Sequence, residues 1–307
     1  MRIGFLGGGF PDAQRALVDL LPHDEVGSAE ELGAVDVLVP AMGRVDREVL
    51  DSLRPRLVQQ YGAGIEGVDL DAARERAVAV ANIPAGMTGN AAGVSEIAVL
   101  HLLALARGLR EARDTLDAGR LGEPMGFGLD GRTVTILGVG DIGREVAIRL
   151  RGFGMKLVGV GHSAQPRDGV ADLIDEYLGV DDLHGALSDS DDVVVCLPLS
   201  DQTRGIVGEA ELGAMRGGGF LVNVGRGPLV KYEALLSALR SGRLRGAGLD
   251  VFWDEPIDPA DPLLAENVSA TPHIGGLTER AWWANAQGFA DNVNRLRDGE
   301  ELRGRIV

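Results

Sequence analysis

The stretch Thr133-Val-Thr-Ile-Leu-Gly-Val-Gly-Asp-Ile-Gly143 most narrows what this chain can fold into. Val134, Ile136 and Leu137 make a short, β-branched apolar run of the kind a buried parallel strand requires. Gly138, Gly140 and Gly143 follow at G-x-G-x-x-G spacing, and Ile142, Val146, Leu150 and Phe153 then recur at helical intervals. Strand, glycine turn and helix together form the context of a dinucleotide-binding turn. The first glycine permits the tight turn, the second lets a pyrophosphate approach the backbone, and the third lets helix and strand pack closely. The helix N-terminus adds free N–H groups and partial positive charge. Gly138, Val139, Gly140, Asp141, Ile142 and Gly143 are therefore candidate cofactor ligands. Glycine is abundant here, 45 of 307 residues, so the flanking strand and helix carry the inference.

Around this turn, strand-like and helix-like segments alternate from residue 2 to the end, which implies an α/β fold with parallel sheets and right-handed crossovers. Length 307 suggests two domains. A net charge of −16 argues against nucleic acid or an anionic membrane as main partner, but leaves room for a small anionic substrate in a locally cationic pocket. Cys196 is the sole cysteine, which excludes a disulfide framework or thiolate cluster and fits a reducing cytoplasm. It sits on an apolar strand and reads as core. The start, Met1-Arg-Ile-Gly-Phe-Leu, has no signal-peptide core, no stretch reads as a bilayer span, and no metal-ligand spacing is evident.

The loops between these segments hold the polar candidates. Gly7-Gly8-Gly9 reads as a structural glycine turn, because Asp12 stands where a third glycine would be needed. Tyr61-Gly-Ala-Gly-Ile-Glu-Gly-Val-Asp69 has two open readings: strand-end capping, or free amides at Ala63 and Gly64 that hold a carboxylate. One long helix is expected over 91–117, with His101 in its apolar stripe as a packed histidine. After the strand at 156–160, Gly161 stands near where a NAD-selective fold places a ribose-binding carboxylate. His162, Ser163 and Arg167 follow it, and are either a polar turn or the receptors of a 2′-phosphate; NADP(H) is the favoured cofactor over NAD(H).

Arg226, Glu255 and His273 each follow a strand of the same half of the chain and so can converge at one crevice edge. Together they suit reduction of a 2-oxo acid by a nicotinamide. Arginine binds the carboxylate and polarises the carbonyl, histidine delivers the proton, and glutamate orients the imidazole and favours its charged form. Trp282 and Trp283, shortly after His273, either pack the last helix or line the substrate pocket.

These stretches resemble the D-isomer-specific 2-hydroxyacid dehydrogenase family. The matching runs are 62–69, Asn82-Ile-Pro84, Val94-Ser-Glu96, 138–143, Leu197-Pro-Leu-Ser-Asp-Gln-Thr203, Asn223-Val-Gly-Arg-Gly227, 249–256 and Thr271-Pro-His-Ile-Gly-Gly276. The resemblance implies two doubly wound parallel-sheet domains, a Rossmann cofactor domain inserted into a flavodoxin-like substrate domain. Its boundaries would be 1–95 for the first part of the substrate domain, 96–279 for the cofactor domain, and 280–307 for the returning helix. By the same resemblance Arg226, Glu255 and His273 are catalytic. Ala63 and Gly64 hold the substrate carboxylate, and Asp250 meets the nicotinamide carboxamide. Leu197, Pro198, Thr203, Val224, Gly225 and Gly275 join His273 around the cofactor. A homodimer built on the helix near 91–117 and the segment after it is also implied. Two positions depart from the family pattern: Gly161 replaces an acidic residue, which resembles the NADP-using glyoxylate and hydroxypyruvate reductases, and Ile97 replaces a histidine. The expected activity is reduction of such an acid to the D-2-hydroxy acid, or the reverse. An NAD-linked or phosphite-type dehydrogenase, and a dinucleotide-sensing corepressor, are the competing readings.

Overall fold

The computed structural model describes every residue except 8–10, 42 and 164, and of Pro11 only the backbone. The glycine turn expected at 7–9 thus lies largely outside the described residues. The chain divides into two compact units, one formed by Met1–Asn90 with Leu277–Val307 and the other by Ala91–Gly276.

The first unit holds five parallel strands, β1 (Arg2–Phe5), β2 (Glu25–Ser28), β3 (Val37–Val39), β4 (Leu57–Gln59) and β5 (Ala79–Ala81), in the order β2-β1-β3-β4-β5. Alternate residues feed two cores. Ile3, Phe5, Val37 and Val39 pack with Phe289 and Val293 of the closing helix, whereas Leu38, Val58 and Val80 pack with Leu50 and Ala72. Burial on both faces is what a parallel sheet covered by crossover helices demands. The C-terminus returns to this unit. Asn292, on the helix Glu279–Asp298, donates to buried Gln59 Oε1 at 2.7 Å and accepts from the Arg303 amide at 2.9 Å.

The second unit holds seven parallel strands: β6 (Thr133–Leu137), β7 (Lys156–Gly161), β8 (Glu176–Gly179), β9 (Asp192–Val195), β10 (Gly219–Asn223), β11 (Leu244–Leu249) and β12 (Val268–Ala270). Their order, β12-β11-β10-β9-β6-β7-β8, places β6 inside the sheet beside the middle strand β9, and the strand order reverses between the two. That is the topological switch point at which doubly wound sheets bind ligands. All five residues of β6 are buried, and so are all five of β10. Arg132 pairs with wholly buried Asp192 through two hydrogen bonds of 2.9 and 2.7 Å, and Asp192 also accepts from the Phe220 amide, so one carboxylate ties three neighbouring strands.

Two features depart from the sequence reading. The helix expected over 91–117 is two helices, Asn90–Ala106 and Leu109–Asp117, bent by 55°. Gly108 between them has φ +58°, the left-handed conformation that glycine reaches without a Cβ penalty. The edge strands β2 and β8 are absent from the sequence reading because they are four residues long and not fully buried, so they lack the apolar run that marks the central strands. Among the described residues no single helix is long and apolar enough to cross a membrane.

Candidate active site

The glycine turn leaves β6 as expected. Gly138 has φ +99°, and a Cβ there would come within 2.9 Å of the Cys196 carbonyl carbon. A Cβ on Gly143 would lie 2.0 Å from the Gly138 oxygen, so helix and turn meet backbone to backbone. Gly140, the N-cap of the helix Asp141–Arg151, has nothing within 4 Å of its would-be Cβ. Two glycines are thus required by packing, and the middle one opens a bare backbone cradle at a helix N-terminus. That arrangement fits a dinucleotide pyrophosphate. Val139 is buried beneath the turn, Ile142 is half-buried and Asp141 exposed.

At the end of β7 the exposed His162 and Ser163 follow Gly161. Ser163 Oγ donates to the Gln165 carbonyl at 2.6 Å, and Arg167 is exposed with no ion-pair partner among the described residues. On the other side of β6, Thr203 Oγ1 donates to the Pro198 carbonyl at 2.8 Å and accepts from the Ser200 amide, which closes the 197–203 loop on itself. Leu197 is half-buried there and Pro198 exposed. Cys196 lies under this loop, its thiol pushed up to about 12 by burial, which leaves an inert core side chain.

Arg226, Glu255 and His273 follow β10, β11 and β12, three adjacent strands. Buried Asn223 shapes the arginine loop, accepting from the Gly225 amide at 3.0 Å and donating to the Arg226 carbonyl at 2.9 Å. Buried Val224 and Gly225 form its floor, and a Cβ on Gly227 would lie 2.1 Å from the Phe252 carbonyl, so this loop seats directly on the one that carries Glu255. Glu255 Oε1 accepts from the Phe252 amide at 2.9 Å, and Oε2 meets His273 Nδ1 at 2.7 Å. Burial pushes the Glu255 carboxyl up. The imidazole hydrogen bond, the Phe252 amide and the charges of His273 and Arg226 outweigh it, and hold the group below its ordinary value. His273 Nε2 has no hydrogen-bond partner among the described residues, so the ring is held at one nitrogen and presents the other.

The histidine loop is held by Asp250. Its Oδ1 accepts from the Thr271 hydroxyl at 2.6 Å and the Ile274 amide at 2.9 Å, and its Oδ2 from the Gly275 amide at 2.9 Å. His273 itself has φ +53°, a conformation costly for a residue with a Cβ. The bonds to Asp250 on either side sustain it. A further layer lies behind: His101, 1% exposed, bonds Ser269 Oγ through Nδ1 at 2.8 Å and Thr271 Oγ1 through Nε2 at 3.0 Å. Because Thr271 spends its one proton on Asp250, His101 Nε2 is the donor to it and Nδ1 the acceptor from Ser269. Burial lowers the His101 pKa against the pull of Asp250, in keeping with a neutral ring. In the sequence His101 stands out only as a member of an apolar stripe. Its link to Asp250 through Thr271 has no signal there, since residues 101, 250 and 271 meet only across the sheet.

In the first unit the amides of Ala63 and Gly64 donate no hydrogen bond among the described residues, while the Ala63 carbonyl accepts from Asn82 Nδ2 at 2.7 Å. Trp282 is half-buried with its ring centroid 5.1 Å from that of Tyr61, whose hydroxyl donates to the Trp282 carbonyl; Trp283 is 46% exposed. Among the described residues no group of three or more His, Cys, Asp or Glu is placed to hold a metal ion.

A doubly wound parallel sheet with a glycine cradle at its switch point and an imidazole–carboxylate pair at neighbouring strand ends defines a nicotinamide-dinucleotide oxidoreductase. The profile of the D-isomer specific 2-hydroxyacid dehydrogenase NAD binding domain matches residues 99–275. The glyoxylate reductase of Thermococcus litoralis is 33% identical over 282 residues, 88% of this chain and 83% of that protein. That of Thermococcus gammatolerans is 36% identical over 88% of this chain and 82% of its own length. The crystal structure of TT0316 protein from Thermus thermophilus superposes over all of both chains with a TM-score of 0.87 at 31% identity. The chain belongs to the D-isomer-specific 2-hydroxyacid dehydrogenase family, NAD(P)-dependent enzymes that act on CH–OH donors.

Proposed function

We propose that this enzyme reduces a small 2-oxo acid of the glyoxylate or hydroxypyruvate type to the D-2-hydroxy acid, with NADPH preferred to NADH, or runs the reverse reaction. The observation that carries this reading is the His273–Glu255 pair, beside Arg226 on the adjoining loop, with His273 Nε2 presented. Arg226 binds the substrate carboxylate and polarises the neighbouring carbonyl. His273 carries its transferable proton on Nε2, because Nδ1–H is held by Glu255. That proton passes to the carbonyl oxygen, which leaves a neutral imidazole to be reprotonated from solvent. Glu255 remains anionic throughout and fixes the ring plane. The reduced nicotinamide, when bound, supplies the hydride to the carbonyl carbon. Asp250 has Oδ2 engaged by a single amide and so retains acceptor capacity toward the carboxamide. Gly138, Gly140 and Gly143 would hold the pyrophosphate, Leu197, Pro198, Thr203, Val224, Gly225 and Gly275 would line the rest of the cofactor, and the second unit would serve as the cofactor domain.

The preference for NADPH rests on Gly161, which brings no carboxylate, and on Arg167, which has no ion-pair partner among the described residues. A homodimer is proposed from the line of exposed apolar side chains after the helix break: Leu109, Leu116, Leu121 and Met125 are 60, 69, 97 and 95% exposed. Large apolar groups so exposed mark an association surface. A buried free thiol and the acidic charge fit a cytoplasmic enzyme with no nucleic-acid or membrane partner.

The test is parallel NADPH and NADH oxidation with glyoxylate, hydroxypyruvate, pyruvate and phenylpyruvate. Turnover is expected with the two smaller or hydroxylated acids, faster with NADPH, and His273→Ala should cost about 10²–10⁴ in kcat. Faster turnover with NADH removes the NADP preference and keeps the reductase. Tight dinucleotide binding without turnover of any oxo acid favours a sensing role instead. The phosphite-type alternative is tested by adding phosphite with NADP⁺ or NAD⁺.

A further inference from the structure

The end of β7 has a feature that the cofactor reading leaves unused. β8 runs parallel to β7 with Tyr177 opposite Gly159, so that Gly159, Gly161 and Tyr177 share one face of the sheet. A Cβ on Gly159 would lie 3.3 Å from Tyr177 Cδ2, and a Cβ on Gly161 would lie 2.0 Å from the Tyr177 hydroxyl and 3.0 Å from Cζ. The two glycines therefore form a trough. The phenol ring lies along it over Gly159, and its hydroxyl stands where the first atom of any side chain at 161 would have to be. Tyr177 is half-buried, and its hydroxyl has no hydrogen-bond partner among the described residues. A dinucleotide lying across a sheet of this type places its adenosine ribose at this strand end.

We propose that Tyr177 is a cofactor-recognition residue, its hydroxyl donating to the 2′-phosphate of NADP(H) from the place an acidic side chain would otherwise fill. The inference rests on the NADP reading above and names the group that enacts it. A carboxylate at 161 would accept from ribose hydroxyls and repel a phosphate. A neutral phenol presents a donor, and a donor to an ionised acceptor makes the stronger, charge-assisted bond. Arg167, six residues beyond Gly161 and exposed, is the next arginine or lysine along the chain. Gly161 then has a second role beyond lacking a carboxylate. It makes the room in which Tyr177 lies.

Calorimetric titration of the full chain with two probes, adenosine 2′,5′-bisphosphate and AMP, separates this from the catalytic end of the cofactor. Wild type should bind the bisphosphate more tightly. Tyr177→Phe keeps the ring packing and removes only the hydroxyl; it should weaken the bisphosphate about tenfold and leave AMP within about twofold. Gly161→Ala, whose methyl must displace the ring, should reproduce the loss. An unchanged bisphosphate affinity in Tyr177→Phe, an equal loss for both probes, or full retention in Gly161→Ala would overturn the role of Tyr177 while the NADP reading stands. Wild type that binds AMP as tightly as the bisphosphate would overturn the NADP reading and this inference with it. A thermal melt of Tyr177→Phe that coincides with wild type shows that the affinities compare folded proteins.

Discussion

Glu255 binds in two directions, to a backbone amide of its own loop and to the imidazole of the next strand's loop, with side chains 20% exposed for Glu255 and 35% for His273. Water reaches the imidazole but does not dissolve the pair. The consequence for stability has a definite sign. A carboxyl held below its ordinary value of 4.5 in the folded state takes up its proton more readily once unfolded, so its contribution is complete above that pH and is lost as pH falls through the folded value. Wild type should therefore melt above Glu255→Gln at neutral pH, and the gap should close as pH is lowered below the ordinary carboxyl value of 4.5. A gap independent of pH would show that the glutamine merely packs worse. Of this site, the three residues were legible in the sequence because each is a chemically distinctive side chain at a strand end. His101 was legible as a packed histidine, but its bond to Thr271 and the loop-holding roles of Asn223 and Thr271 were not. They act by shaping loops, and Asn or Thr in such a place looks like any turn residue.

Among the elements, the glycine turn separates packing from binding in a way substitution can read. Gly143 has no space for a methyl, with the Gly138 oxygen 2.0 Å from its would-be Cβ, whereas Gly140 has space and no protein neighbour. Gly143→Ala should destabilise the protein by about 1–3 kcal/mol through forced backbone movement. Gly140→Ala should melt like wild type yet bind dinucleotide more weakly, because the methyl fills only the ligand's side. Chemical denaturation and calorimetric titration of both variants check this, and a stability loss in Gly140→Ala equal to that in Gly143→Ala would contradict it. The spacing of the three glycines is written in the sequence. That Gly138 faces the 196–197 backbone of a neighbouring strand end depends on the sheet, whereas Gly143 meets the Gly138 oxygen of the turn itself.

For the whole molecule, the segment from Leu109 to Met125 carries the two most exposed large apolar side chains among the described residues, Leu121 at 97% and Met125 at 95%. Light scattering should report a dimer for wild type, and Leu121→Glu with Met125→Glu together should give a monomer with unchanged circular dichroism. A monomeric wild type would show that this surface has another use. The chain's own return to its first unit is settled by contacts rather than by pattern. The closing helix contributes Phe289 and Val293 to the core under β1 and β3, and Asn292 reaches the buried Gln59 of β4.

The sequence by itself determined the class of fold, the strand–glycine turn–helix unit, and the strand-end positions of Arg226, Glu255 and His273. Buried parallel strands, glycine turns and strand-end polar residues are local patterns, written within a dozen residues of one another. Tertiary structure alone decided the break at Gly108, the edge strands β2 and β8, the left-handed backbone of His273 held by Asp250, and the placing of Tyr177 across Gly161. Each of these is a contact between residues distant in sequence, or a backbone state sustained by such contacts. Their energies depend on where the sheet brings the chain together, and no local pattern encodes that.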